Sequence, residues 1–259
     1  MSNTTHVVHF SGGVGSWATA KLVHAAQHHG DTLVLLFADT LIEDQDTYRF
    51  LEAAAANVGA PLTRIAEGRT PWQVFKDEGF LANTRVDLCS RILKRDLLRN
   101  WLEANCDPAT TVNYIGIDWT EIHRFQRARP RWEPWQLEAP LTETFMTKAD
   151  LLKWATAEGL PEQRLYRMGM PHANCGGGCV KAGQGHFAKL LREFPERFGE
   201  WEQQEQEVRD HLGKDVAILR DRRGGDTTPM TLQQLRHRLD TQPDQLDLFD
   251  FGGCGCAID

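Results

Sequence analysis

The stretch that most constrains this chain is Ser11-Gly12-Gly13-Val14-Gly15-Ser16, set between an apolar run at residues 6–10 and a helical pattern at 17–29. Strand, glycine-rich turn and helix in that order aim several backbone N–H groups and a helix N-terminus at one point. Such a point favours an anion such as phosphate, through both the unpaired donors and the helix dipole. The three glycines permit close backbone approach, and Ser11 and Ser16 add hydroxyl donors. An ordinary tight βα turn has the same form, so the rest of the chain must decide between the two.

The following pattern alternates. Ala18, Leu22, Ala25 and Ala26 form an apolar stripe at helical spacing, with Gly30 where a C-cap is expected. His24 and His28 lie one turn apart without a carboxylate or cysteine beside them, and read as solvated. Residues 33–38 are a continuous apolar run, as in a strand covered on both faces, ending in Asp39-Thr40 at a carboxyl edge. A helix over 46–58, a short strand at 62–65 and a Thr70-Pro71 helix start come next. A helix opens at Asp87 and runs to about Asn105, and a fourth strand spans 112–117. The alternation predicts an α/β fold with a right-handed, doubly wound parallel sheet. After about residue 190 the pattern is helical. We therefore expect a nucleotide-binding unit over 1–190 and a helical extension over 191–259. No internal repeat is visible.

The net charge of −7 speaks against general nucleic-acid or membrane binding, and leaves open a local basic patch. No apolar run approaches the ~20 residues needed to span a bilayer. The N-terminus also lacks a signal-peptide pattern, so a cytoplasmic location is expected. In that compartment six cysteines mean metal or redox chemistry more often than disulfides. Cys89 falls near a helix start among Arg91, Lys94 and Arg95, while Cys106 reads as structural. Cys175-Gly176-Gly177-Gly178-Cys179 lets two sulfurs face one centre, as in a metal or iron–sulfur site. Cys254 and Cys256 sit in a glycine-rich tail. Residues 124–135 interleave Arg124, Arg127, Arg129 and Arg131 with Phe125, Trp132 and Trp135. That is either a surface for phosphate contacts and base stacking or a solvated loop.

Together these stretches resemble the PP-loop superfamily, and within it the phosphoadenylylsulfate (PAPS) reductase-like branch, over residues 6–187. Residues 11–16 look like the PP-loop SGGxDS. Asp39-Thr40 with Glu43 looks like the end of the family's second strand, and Cys89 with Lys94 like its cysteine-then-lysine helix. Residues 116–124 look like the G-x-R…R segment, and 139–141 with 169–179 like the "PL … GY…GC…C" region. Two positions depart from the pattern: Gly15 replaces an aspartate of ATP-using members, and Asp118 an arginine of reductases. The resemblance implies an adenine nucleotide, ATP among the candidates and Mg2+ with it. Its phosphates would lie on Ser11, Gly12, Gly13, Val14, Gly15 and Ser16, and its adenosine near Asp39, Thr40 and Gly116. It implies a [4Fe–4S] cluster on Cys89, Cys175 and Cys179, with Cys254 or Cys256 as a fourth ligand or the position left open. Zinc is the alternative, since thiolates suit it as well.

Three readings follow. In the first, ATP adenylates a substrate carbonyl and an iron–sulfur- or cysteine-borne sulfur displaces AMP, with Lys94, Asp118 and Arg124 as catalytic candidates and a nucleic-acid or nucleobase substrate on residues 124–135. In the second, a sulfonucleotide is the substrate, and Cys254 or Cys256 attacks its sulfur before a thioredoxin-like partner reduces the adduct. The reductases' tail motif is missing here. In the third, the chain is a nucleotide- or metal-sensing subunit without catalysis.

Overall fold

The apolar runs become one parallel sheet of five strands, in the order β3-β2-β1-β4-β5. They are β1 (Thr5–His9), β2 (Thr32–Asp39), β3 (Leu62–Ala66), β4 (Thr111–Tyr114) and β5 (Gln136–Glu138). This description comes from a computed structural model and covers residues 3–83, 85–222, 226–241, 249–250 and 252. Between the strands run α1 (Val14–Ala26), α2 (Gln45–Val58), α3 (Pro71–Asp77), α4 (Leu88–Ser90) and α5 (Leu97–Asn105). The strand order reverses between β1 and β4, the place where open α/β sheets bind ligands. Each face of the sheet buries its own apolar layer. Val8, Phe10, Trp17, Phe37 and Phe50 form one, and Val7, Leu36, Leu98, Ile115 and Leu137 the other. The expected doubly wound α/β architecture is therefore present.

Beyond β4 the chain forms α6 (Ile122–Ala128), then β5, then α7 (Lys148–Ala157) and α8 (Arg164–Arg167). Next come α9 (Gln184–Glu193) and α10 (Pro195–Leu212), a two-stranded hairpin of β6 (Leu219–Asp221) and β7 (Thr228–Met230), and α11 (Leu232–Thr241). Phe198, Trp201, Val208, Ile218 and Leu235 share one core with Trp72, Phe75 and Phe187, so α10 and α11 close over α3 and α9. Thr231 and Gln234 make the expected capping box, each bonding the other's backbone N–H. Among the described residues no helix is long and apolar enough to cross a membrane.

Several local expectations change. α1 stops at Ala26, and Ala25 and Ala26 are exposed; the buried stripe is Trp17, Ala18, Ala20 and Val23. The Asp31 carboxylate accepts the N–H groups of Thr4 and His28, which turns the chain before Gly30 can act as a cap. The helix expected from Asp87 to Asn105 is broken by a π-helical stretch, Arg91–Asp96, of the kind that often marks functional positions. Residues 124–135 are neither a loose loop nor a stacking surface. They form α6 and a 3-10 turn, Arg129–Trp132, which delivers the chain into β5. Trp132 and Trp135 are buried against Val7, Leu98 and Leu137, so their ring faces are spent on the core.

Glu205 of α10 shows what binds the C-terminal helices to the hairpin. Its carboxylate accepts the N–H of Ile218 at 2.8 Å and of Leu232 at 2.7 Å. Burial pushes its pKa up to about 7 in spite of those two bonds. The folded chain thus keeps a proton that the unfolded chain sheds near pH 4.5, and stability falls as pH rises from about 4.5 to about 7. We expect wild type to lose roughly 3 kcal/mol relative to Glu205→Gln across that window. Denaturant unfolding of both at several pH values checks this, and a pH-independent difference would contradict it.

Candidate functional site

A cleft of about 360 Å³ opens at the carboxyl edge of the sheet, over the reversal point. One wall is the loop after β1: Ser11, Gly13, Val14, Gly15 and Ser16 line it, and the N-terminus of α1 begins there with no side-chain cap. Ser16 Oγ donates to the Gly13 carbonyl at 2.8 Å, and Ser11 Oγ to Ser16 Oγ at 3.4 Å, so the hydroxyls shape the loop. The uncapped first-turn N–H groups are what an anion would meet. Gly116, Asp118 and Arg124 line the opposite wall, from the chain after β4. The Asp118 carboxylate accepts from the Thr120 N–H at 2.9 Å and hydroxyl at 2.6 Å, and Arg124 pairs with Glu121. Lys148, at the start of α7, lies against the Tyr166 ring with its Nζ 4.1 Å from the ring centre. His9, Leu36, Ala38, Leu98 and Ile117 make the apolar end.

The two loops touch at Gly15 and Gly116. A Cβ on Gly15 would stand 2.8 Å from the Gly116 carbonyl oxygen, and one on Gly116 would stand 2.5 Å from the Ser16 nitrogen. Gly15 therefore has a packing reason. The place where a side chain would leave the loop is filled by backbone from the neighbouring strand's loop.

A second, small cavity of about 10 Å³, room for about one water, lies next to the cleft. Cys89, Cys175 and Cys179 line it together with Thr40, Ile42 and Trp201. The sequence-predicted sulfurs thus converge, although among the described residues no three His, Cys, Asp or Glu groups are placed to hold a metal ion. The donor set is that of an iron–sulfur or zinc centre. The cavity as it stands is closed by apolar side chains, which would have to give way to admit one. The loop is strained into its curl: Cys175 has φ 52°, followed by Gly176 at 64° and Gly177 at 89°. Gly178 lies flat on Trp201, whose ring atoms a Cβ would meet at 2.3 Å. Arg197 donates to the Gly176 carbonyl and His186 Nε2 to that of Gly177, both from the C-terminal helices.

Lys94 lines both cavities. Its Nζ stands 3.5 Å from Glu43 Oε1, which also accepts the Thr40 hydroxyl at 3.0 Å, while Glu43 Oε2 accepts the Cys175 N–H at 2.5 Å. Next to it, Asp44 is held by Arg164 and Arg197, and those guanidiniums outweigh its burial to keep its pKa below the usual range.

Not every predicted residue reaches the cleft. Asp39 is fully buried and does not line it. Arg64, Tyr48 and the Leu41 N–H consume its carboxylate, so it does not face an adenosine. Thr40 faces the cysteine cavity instead, and Gly12 turns towards Thr47 at φ 78°. Cys106 is half-buried against the core on one face of the sheet, whereas the other three cysteines belong to a different core, and burial raises its pKa. Cys254 and Cys256 lie outside the described residues, but Gly252 borders the cleft and pairs with Ala182. Sequence reasoning missed His9, Lys148 and Tyr166. A charged residue following the helix-starting Thr147 was the only hint of Lys148.

Fold and site define a doubly wound α/β protein with a glycine-rich loop and an uncapped helix start at its reversal point and a cysteine cavity beside it. The model of the phosphoadenosine phosphosulfate reductase domain matches residues 5–183, and the chain belongs to that family. No curated protein matches the chain. Among solved structures it is similar to phosphoadenylyl-sulfate (PAPS) reductase from Candida auris in its phosphate complex. That match has 16% identity and a TM-score of 0.47, over 67% of this chain and 81% of that one. It is also similar to the U34-tRNA thiolase NcsA from Methanococcus maripaludis with its [4Fe-4S] cluster. There the identity is 16% and the TM-score 0.45, over 82% of this chain and 74% of that one. Family membership makes nucleotide binding and enzymatic activity the expectation for this chain.

The glycine contact gives a direct test. Gly15→Ala puts a methyl against backbone that cannot swing aside, and we expect a loss of about 1–3 kcal/mol. Thermal unfolding checks this. An unchanged midpoint would show that the loops separate without cost.

Proposed function

We propose that the protein is an ATP-dependent sulfur-transfer enzyme, in which the cleft activates an acceptor and the cysteine cavity handles the sulfur. The observation that carries this reading is Lys94, one buried cation bordering both cavities. In the first step an acceptor carbonyl oxygen attacks the α-phosphorus of ATP, the bond to pyrophosphate breaks, and pyrophosphate leaves. In the second, a sulfide-level sulfur adds to the activated carbon and the C–O bond to AMP breaks. The amides of residues 11–16 hold phosphate oxygens, and Lys148 and Arg124 offset the charge that develops on them. The family's aspartate is absent at Gly15, but Asp118, two residues beyond the Gly116 contact, brings a carboxylate to the same cleft. There it is available to a Mg2+ carried by the phosphates, and it disfavours an extra sulfate or 3′-phosphate.

Cys89, Cys175 and Cys179 are the residues that would hold an iron–sulfur cluster, and a cluster there would supply the sulfur chemistry of the second step. Lys94 offsets thiolate charge at that cavity, and Glu43 keeps Lys94 and the Cys175 amide in register. The exposed pair Trp119 and Phe145, ring centres 6.2 Å apart beside Asp118, offers a planar acceptor a stacking surface that Trp132 and Trp135 do not.

A specific observation also favours a second reading. Gly252 borders the cleft, and Cys254 follows two residues later. In a sulfonucleotide reductase a tail cysteine attacks the sulfate sulfur, the S–O bond to the nucleotide breaks, and a cysteine S-sulfonate forms. A dithiol partner then attacks the cysteine sulfur and releases sulfite.

Two measurements test these readings. Anaerobically prepared protein supplied with ATP, sulfide and a tRNA pool should release pyrophosphate. Sulfite from PAPS or its 3′-dephospho form, with no pyrophosphate from ATP, would establish the second reading instead. Cys175→Ala should lose bound iron and the visible absorption that accompanies it, whereas Cys106→Ala should keep both. Equal iron in the two variants would remove the cysteine cavity from the proposal.

A further inference from the structure

Gly13 has backbone angles of φ −93° and ψ 158°, which any residue adopts, so its lack of a side chain has another cause. The surroundings supply one. A Cβ on Gly13 would stand 3.2 Å from the Tyr166 hydroxyl oxygen and 3.7 Å from Ser11 Oγ. The phenol thus reaches the turn from outside, on the side where a side chain would project. Tyr166 sits on α8, which is pinned to the start of α2: the Arg164 N–H donates to Asp46 Oδ2 at 2.6 Å, and its guanidinium holds Asp44. The half-buried ring lines the cleft and packs against two cores, the layer that holds Trp17 and the one that holds the three cysteines. Lys148 lies over the ring, its Nζ 4.1 Å from the ring centre, and donates to the Pro171 carbonyl. A cation over the face of a phenol stabilises negative charge on its oxygen, and so strengthens the O–H as a donor to an anion. The two serines of the loop use their hydroxyl protons inside it, Ser11 on Ser16 and Ser16 on the Gly13 carbonyl. The Tyr166 hydroxyl comes to the same turn from a separate element.

We propose that Tyr166 is a phosphate-binding residue of the cleft, its hydroxyl donating to a phosphate oxygen held against the turn at residues 11–16. The uncapped first-turn amides of α1 face the same opening, so an anion seated on them lies beside the hydroxyl that borders Gly13. A neutral donor suits the place. Lys148 and Arg124 already bring positive charge to the cleft, and the phenol adds a directed bond without another cation to desolvate. Gly13 is then glycine because a side chain would take the room of that oxygen. The contact also joins two parts of the chain on one ligand, the loop after β1 and the short helix that leads towards Pro171 and Cys175. This inference rests on the reading of the cleft as a nucleotide site.

Calorimetric titration of wild type and Tyr166→Phe with ATP and with inorganic pyrophosphate tests it. The variant keeps the ring, its packing and the Lys148 contact, and loses only the hydroxyl. Both ligands should bind to it roughly ten- to a hundredfold more weakly, the range for a hydrogen bond to a charged acceptor. Pyrophosphate has no base or ribose, so a matching loss assigns the contact to phosphate. Unchanged affinities, or a loss for ATP that pyrophosphate does not share, refute the role of Tyr166 and leave the cleft reading standing. So does pyrophosphate that fails to bind wild type where ATP binds. If wild type binds neither ligand, the cleft reading fails and this inference falls with it. The chain holds three tyrosines, which allows a second measurement with residue 166 intact. With 3-fluorotyrosine incorporated, the fluorine signal that Tyr48→Phe and Tyr114→Phe both retain belongs to Tyr166, and it should shift when pyrophosphate is added. A signal that stays in place refutes the proposal even if Tyr166→Phe does not fold.

Discussion

One buried carboxylate joins the parts of this molecule that matter for chemistry. Glu43 lies just past the end of β2, and its side chain is almost wholly inaccessible. It gathers donors from its own turn and from two distant stretches: the Thr40 hydroxyl three residues before it, Lys94 from the π-helical segment and the Cys175 amide. A carboxylate at that depth is tolerated only with such donors around it, and removing it would cost the Thr40, Lys94 and Cys175 contacts together. The strand end, the irregular helix and the cysteine loop are therefore fixed relative to one another by a single group. Asp44 repeats the device one residue later: it anchors Arg197, which reaches on to the Gly176 carbonyl. The strained Cys175 backbone is held by these neighbours, since nothing in its own sequence would place a cysteine at positive φ.

The Glu43 network explains why the two cavities adjoin, and the Gly15–Gly116 contact explains where the cleft lies. Parallel strands on either side of the reversal point splay their outgoing chains apart, and a crevice forms between them. Here the crevice is narrow at its base, because two glycines let the backbones touch. The departure at residue 15 thus belongs with Gly116. A side chain at either position would push the two loops apart.

Much of this was legible. Residues 6–16 carried a short apolar stretch and a glycine-rich turn, and residues 33–38 a continuous apolar run ending in Asp39-Thr40, because strands buried on both faces leave little else to read. The convergence of Cys89, Cys175 and Cys179 was visible through the family's motif order. Other features had no local signal. Alternating arginine and tryptophan in residues 124–135 does not say which face each side chain takes, and β5 is only three residues long. Asp39 sits at the correct strand end, but its partners Tyr48 and Arg64 come from α2 and β3, a tertiary fact. Tyr166 was unreadable for the same reason. Its meaning depends on Gly13, more than a hundred residues away, and on which side of that turn its hydroxyl stands.

The charge distribution narrows what this site can meet. The chain as a whole is acidic, at −7, so a polyanion is repelled from most of its surface. Lys94, Arg124 and Lys148 nevertheless border one cleft, and Lys94 does so from a buried position where water screens it least. An extended polyanion would have to cross the repelling surface to gain those contacts. The buried tryptophans remove the stacking that would have compensated a long strand for that crossing. The electrostatics therefore favour a small anion over a long polyanion at this cleft, whose surroundings carry the exposed rings of Trp119 and Phe145.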